Sequence, residues 1–313
     1  MAQEISVTIG VDSEGNEFVF SLTQSPHALF AGTTGSGKST LIHNILCSLI
    51  ENHDDDKVRI FIGDPKRVEF YRYAGTPHVE RVARDVIEHE KMLRKLVFIM
   101  NTRYQIMENC MDENGLPVVS AYNQTMYRKD EDGIKSFSLP NIIVVIDELG
   151  NLVLDKQSGK NILDSIIQLV QLGRAAGITV LLATQQPTAK IIDTRIKANC
   201  PTRIALKVTS RVNSRVVIDS SGAETLNGYG DALVLLPTSS NKIRVQCLGM
   251  DYKNIADVIE KSVQKKLAKN TFNNQNATEA VKPQCKVIDL ASLKSFRDSS
   301  VGKSSGSKYI SPN

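Results

Sequence analysis

The sequence predicts an α/β fold on a mostly parallel central sheet, with an N-terminal β-hairpin and antiparallel C-terminal strands. Three observations predict it. Apolar, β-branched runs at 27–31, 58–62, 141–146 and 178–184 suit strands buried on both faces. Segments of helical periodicity lie between those runs. A glycine-rich stretch follows the first run and opens directly into a helical pattern.

In chain order, residues 5–9 and 18–22 are β-rich and flank Asp12-Ser13-Glu14-Gly15-Asn16, a hairpin signal. The run 27–31 leads into Gly32-Thr33-Thr34-Gly35-Ser36-Gly37-Lys38-Ser39-Thr40, then a helix carrying Leu41, Ile42, Ile45, Leu46 and Leu49. Gly32, Gly37, Lys38 and Ser39 fit the phosphate-binding loop pattern, and the strand-before, helix-after context supports it. Glycine lets backbone N–H groups turn around phosphate oxygens, and the helix N-terminus adds a favourable dipole. Lys38 can reach the β- and γ-phosphates, and Ser39 can ligate Mg²⁺. The implied ligand is a nucleoside triphosphate with Mg²⁺, held by residues 32–40.

The run 58–62 ends in Gly63-Asp64-Pro65-Lys66, which places Asp64 and Lys66 at a strand's C-terminal edge. Apolar spacing predicts one long helix from about 82 to 109, its Met and aromatic stripe facing the core. Residues 111–139 read as polar and turn-rich, with a short helix around 121–128. The strand at 141–146 ends in Asp147-Glu148, and an acidic pair beside a buried strand is costly without a task. The task beside a phosphate loop is to hold Mg²⁺ (Asp147) and to take a proton from the attacking water (Glu148). A helix at 159–173 precedes Gly173-Arg174-Ala175-Ala176-Gly177, and the strand 178–184 ends in Gln185, suited to bond a γ-phosphate and a water without adding charge. Strands at 203–208, 232–236 and 242–248, a helix at 210–218 and a closing helix from 252 to about 267 complete the domain.

The chain has 313 residues, 41% hydrophobic and 23% charged, ordinary for a globular protein. No apolar run reaches the ~18 residues of a membrane helix, and no leader is visible, so a cytoplasmic protein is expected. Five scattered cysteines without C-x-x-C spacing read as reduced thiols. Net charge is +4, but residues 261–313 hold ten Lys or Arg against three Asp or Glu, leaving −3 on the body. Any nucleic-acid contact by the body must therefore be local. A motor domain at 1–268 and a basic, disordered tail at 269–313 are expected.

Several motifs occur together: residues 26–39, Asp64-Pro65-Lys66-Arg67-Val68-Glu69, Val145-Ile146-Asp147-Glu148-Leu149, Gly173-Arg174-Ala175-Ala176-Gly177-Ile178, Ala183-Thr184-Gln185-Gln186-Pro187, residues 196–203, Asn213-Ser214-Arg215 and Ser221-Gly222-Ala223-Glu224. In this order they resemble the motor domain of FtsK/SpoIIIE-type DNA translocases, within the FtsK–HerA group of RecA-like P-loop ATPases. The resemblance spans the first hairpin to about residue 250. It implies a homo-oligomeric, usually hexameric ring around double-stranded DNA, with ATP between subunits. It assigns Arg174 as an arginine finger, Gln185 as a sensor, and Lys197, Arg211 and Arg215 as contacts to the DNA backbone. Such contacts are sequence-independent, which suits a motor. Read in isolation, Arg174 is equally a favourable charge at a helix C-terminus.

Two departures stand out: Gln186 where the family commonly has Arg, and Asn151 where it often has an acid. The resemblance also lacks the family's membrane-spanning region and winged-helix module, so a stand-alone motor of a plasmid, integrative element or phage is expected, with a relaxase or membrane protein as partner. The alternatives are an ATPase energising protein export, as in type VII secretion, or an ATP-binding assembly factor with little hydrolysis.

Overall fold

Both sides of the central sheet are covered, so its middle strands are buried on two faces. The computed structural model describes residues 4–121, 125–130, 133–237, 239 and 241–276. β3 (His27–Ala31) shows the principle: all five residues are buried. Ala28 and Phe30 pack with Leu41, Ile45 and Leu46 of α1 (Lys38–Asn52). Leu29 and Ala31 face the other layer, which holds Leu93, Leu96, Ile166 and Leu169. The period-2 alternation of a strand thus feeds two separate cores.

The strands are β1 (Ser6–Asp12), β2 (Glu17–Ser21), β3, β4 (Val58–Gly63), β5 (Val79–Ala83), β6 (Thr125–Asp130), β7 (Gly133–Ser138), β8 (Asn141–Ile146), β9 (Ile178–Thr184), β10 (Thr202–Leu206), β11 (Asp231–Leu235) and β12 (Ile243–Cys247). Ten of them form one sheet in the order β2-β1-β12-β11-β10-β3-β9-β8-β4-β5. From β10 to β5 all neighbours are parallel; β11, β12 and the β1–β2 hairpin extend it antiparallel. The mixed sheet is the one the sequence predicts, and the hairpin joins its antiparallel end through β1–β12.

The other helices are α2 (Val86–Glu108), α3 (Leu149–Val153), α4 (Gly159–Leu172), α5 (Thr194–Asn199), α6 (Arg211–Ile218) and α7 (Tyr252–Asn276). Three expectations need correction. Val82 belongs not to a helix but to β5, opposite Ile62, and α2 starts at Val86 because Asp85 caps it, accepting from Glu88 N at 2.8 Å. The helix expected around 121–128 is instead strand β6, whose Met126 is buried with Phe137 and Leu139 of the β6–β7 hairpin segment. α7 runs to Asn276, so the first part of the expected disordered tail is helical. Lys265 and Lys269 reach Asp54, and Lys266 pairs with Asp55, fixing this helix beside the end of α1. Residues 277–313, the rest of that tail, lie outside the described residues. Cys47, Cys110, Cys200 and Cys247 are free and buried.

Candidate active site

β9 lies between β3 and β8, so three adjacent parallel strands end at one edge. That edge gathers the phosphate loop after β3, Asp147-Glu148 after β8 and Gln185 after β9. The C-terminal edge of such a sheet is where ligands bind.

Close approach requires glycine at two positions of the loop, 32 and 37. At Gly37 φ is +96°, and a Cβ would fall 2.5 Å from the Gly230 nitrogen. The Gly228–Gly230 turn is tied to the loop: Tyr229 N donates to Gly35 O at 3.3 Å and Gly230 N to Ser36 O at 2.8 Å. A Cβ at Gly32 would meet Ser36 Oγ at 2.4 Å. Thr33 N donates to Lys207 O at 2.9 Å. The cradle is therefore braced by the turns after β10 and before β11.

Lys38 is the first residue of α1 and is buried. Its Nζ donates to Asp147 Oδ1 at 2.6 Å and to Asp147 O at 3.0 Å. Asp147 Oδ2 is buried and has no hydrogen-bond partner among the described residues. Glu148 caps α3 and is held by several donors. Thr184 Oγ1 donates to its Oε1 at 2.8 Å, Gln185 N to its Oε2 at 3.1 Å, and Lys66 Nζ lies 3.9 Å from Oε2. Gln185 Oε1 accepts from Thr34 Oγ1 at 3.3 Å, linking the end of β9 to the loop. Asp64 has a different part: it is buried and accepts from the backbone N–H groups of Arg67 and Phe70, shaping the turn after β4.

A cleft of about 450 Å³ opens over this cluster. Thr33, Thr34, Gly35, Gly37, Lys38, Ser39, Thr40 and Gln185 line one part; His43, Glu69, Met250, Asp251 and Tyr252 line the other. The size suits a nucleotide. Burial, reinforced by the Arg72 charge, pushes His43 down to about 4, so it is neutral at pH 7. The cleft fits Mg²⁺. Hard cations take oxygen ligands, Ser39 supplies a hydroxyl, and Asp147 Oδ2 is an oxygen with no other partner. Among the described residues no group of three or more His, Cys, Asp or Glu forms a metal cage.

Arg174 stands apart. It lies before β9, at the opposite end of that strand from Gln185, and is exposed. A seven-residue strand spans roughly 20 Å, so Arg174 cannot reach the cleft of its own chain. Its charge is felt by buried His27, which burial first and Arg174 second push down to about 4.

The basic residues expected at DNA sit on α5 and α6. Lys197 is committed within the chain: its Nζ lies 2.7 Å from Asp219 Oδ1, and Arg203 binds the other oxygen at 2.5 Å. Burial raises the Asp219 pKa, but Lys197 and Arg203 outweigh it and hold the carboxyl below its usual range. Arg211 is 79% exposed, with Glu224 at 3.5 Å, and Arg215 is exposed. Sequence reasoning missed Thr184 and the far wall of the cleft. Thr184 carried a signal, a hydroxyl at the polar end of a buried strand. Glu69 lay within the Asp64–Glu69 motif without a role assigned to it, while His43 and Tyr252 carried no signal, because only the fold brings them to the cleft.

The architecture recurs in solved structures. The pCW3 conjugation coupling protein TcpA superimposes with a TM-score of 0.67 at 27% identity, over 83% of this chain and 71% of that one. The cytoplasmic domain of the type VII secretion ATPase EccC of Thermomonospora curvata shares the fold, with a TM-score of 0.65 at 21% identity over 82% of this chain and 30% of that one. DNA translocase FtsK of Tropheryma whipplei is 35% identical over 262 residues, 83% of this chain and 34% of its own length. DNA translocase SpoIIIE of Bacillus subtilis is 36% identical over 260 residues, 82% of this chain and 32% of its own. The chain thus spans about a third of the relatives it matches. The FtsK/SpoIIIE family model matches residues 2–189, which carry the phosphate loop, the acidic pair, Arg174 and Gln185. With the geometry of its phosphate-binding edge and this match over most of its length, the chain belongs to the FtsK/SpoIIIE family.

Proposed function

We propose that the chain hydrolyses ATP to drive translocation of double-stranded DNA, as a homo-oligomeric, hexameric motor of a plasmid or other mobile element. The observation that carries the hydrolytic reading is the Glu148 carboxylate, fixed by Thr184 and Gln185 at the edge where the phosphate loop ends. DNA as substrate is supported by the names of relatives at 35–36% identity, and the mobile-element setting by the resemblance to the conjugation coupling protein.

Lys38 binds β- and γ-phosphate oxygens, leaving its contact with Asp147 to do so. Ser39 and Asp147 would hold Mg²⁺, which would neutralise phosphate charge. Glu148 accepts the proton of the attacking water, and Gln185 orients that water. Arg174 of a neighbouring subunit stabilises charge on the γ-phosphoryl group. Arg211 and Arg215 grip the DNA backbone, with Lys197 joining once Asp219 releases it.

The test is ATP turnover with and without duplex DNA at low salt. Stimulation by DNA supports the reading; turnover that ignores DNA overturns it. The pairing of Lys197 with Asp219, and Gln186 in place of arginine, favour a second reading, an ATPase energising protein export. Co-purification with a small secreted substrate in the absence of DNA supports that alternative.

A further inference from the structure

Arg103, on α2, is 3% exposed, yet it carries a full charge. Its NH1 donates to Ala176 O at 2.7 Å and to Gly177 O at 3.4 Å; its NH2 donates to Pro140 O at 2.7 Å. Every acceptor is a main-chain carbonyl. Taking a guanidinium out of water costs several kcal/mol, and an apolar side chain would fill the same space more cheaply. What the planar fork supplies is geometry: one rigid group fixes two chain segments at once.

Those segments are the lead-in to β8 and the turn 173–177 that bears Arg174. The turn is held from the same side by two further bonds. Tyr104, next to Arg103, donates its hydroxyl to Leu172 O at 2.6 Å, and Ala121 N donates to Ala175 O at 2.7 Å. Gly177 closes the turn at φ +68°, and a Cβ there would lie 3.1 Å from Arg103 NH1. The carbonyls of residues 172, 175, 176 and 177 are thus all engaged, while the Arg174 side chain is exposed.

We propose that Arg103 is a positioning residue for Arg174: it rigidifies the turn so that the finger is offered to a neighbouring subunit in one geometry. This rests on the reading of Arg174 as a finger acting in trans. Pre-organisation matters because misplacing a catalytic group by about 1 Å can cost on the order of a hundredfold in rate.

The experiment mixes variant subunits and measures ATP turnover with duplex DNA. Arg103→Gln alone should lose at least tenfold in kcat with little change in KM. Mixed with Lys38→Ala, whose turn is intact, it should regain turnover, because the Lys38→Ala subunit supplies the finger. Mixed with Arg174→Ala it should stay inactive, since neither partner offers a placed finger. A merely structural lesion predicts no rescue in either mixture and overturns the proposal, as does wild-type turnover of Arg103→Gln or rescue by Arg174→Ala. The control mixture of Arg174→Ala with Lys38→Ala separates the two readings. If it is silent, the finger itself is wrong and the proposal falls with it; if it is active, the Arg103 mixtures judge the proposal alone. Should Arg103→Gln not fold, Tyr104→Phe removes only the bond to Leu172 O. It should lose about threefold in kcat with the same mixing pattern, and any other pattern contradicts the proposal.

Discussion

The two ends of β9 carry opposite kinds of machinery. At its C-terminal end, Thr184 and Gln185 hold Glu148 beside a cleft, and the charged groups are fixed by side chains and backbone of neighbouring strands. At its N-terminal end, Arg174 is exposed and only the main chain around it is fixed. The first end is furnished to bind a ligand by itself. The second leaves its guanidinium free to face outward, as the proposed finger role requires. A phosphate loop alone would not reveal that division; the position of β9 between β3 and β8 does.

The comparison breaks most readily at Lys38. Lys38→Ala should abolish detectable turnover and also leave Asp147 as an uncompensated buried charge, at a cost of about 3–5 kcal/mol. Urea unfolding checks this, and adding Asp147→Asn should recover much of the stability without turnover. Arg174→Ala should lower kcat by roughly a thousandfold, yet leave nucleotide affinity and unfolding midpoint unchanged, because the side chain is exposed. An equal loss of nucleotide affinity, measured by titration calorimetry, would erase the difference between the two ends. Thr184→Val should reduce kcat by about fivefold, since one hydrogen bond to Glu148 is worth about 1 kcal/mol; unchanged turnover would detach that bond from catalysis.

The effects that are smallest at neutral pH concern the buried histidines. His43, under the cleft, and His27, near Arg174, both have folded pKa values of about 4, below the unfolded value. The unfolded state binds protons first as pH falls, so stability is full above about pH 6.5 and is lost as pH drops towards 4. Each should contribute about 2 kcal/mol of loss between pH 7 and pH 5. Replacing His43 with Gln should shrink the drop measured by urea unfolding. In Arg174→Ala the His27 pKa should rise, as followed by NMR titration, because a repelling charge is gone. Burial, its larger cause, stays.

How much of this was legible in the sequence depended on whether the signal was local. Gly32–Ser39 announces itself because backbone approach demands glycine and phosphate demands Lys and Ser within one loop. β8 and β9 are legible because strands buried on both faces become unbroken apolar runs. β5 was hidden because Glu80 and Arg81 are exposed at the sheet's edge, so its pattern is half polar and merged with the helix behind it. The β6–β7 hairpin was hidden for the same reason: Met126 and Phe137 are buried, but Ile134 is exposed, so no clean alternation marks the strands. α3 and α5 have five and six residues, too few to show a helical period. Arg103 reads as an ordinary polar residue among the apolar positions of α2. Its burial appears only when the turn before β9 closes over it.

The most direct test of the central claim, that the two ends of β9 serve one hydrolytic centre between subunits, is turnover of Arg174→Ala mixed with Lys38→Ala across all proportions. The account predicts two nearly inactive parents and a maximum near equal mixing. A flat line at the parents' level would contradict it.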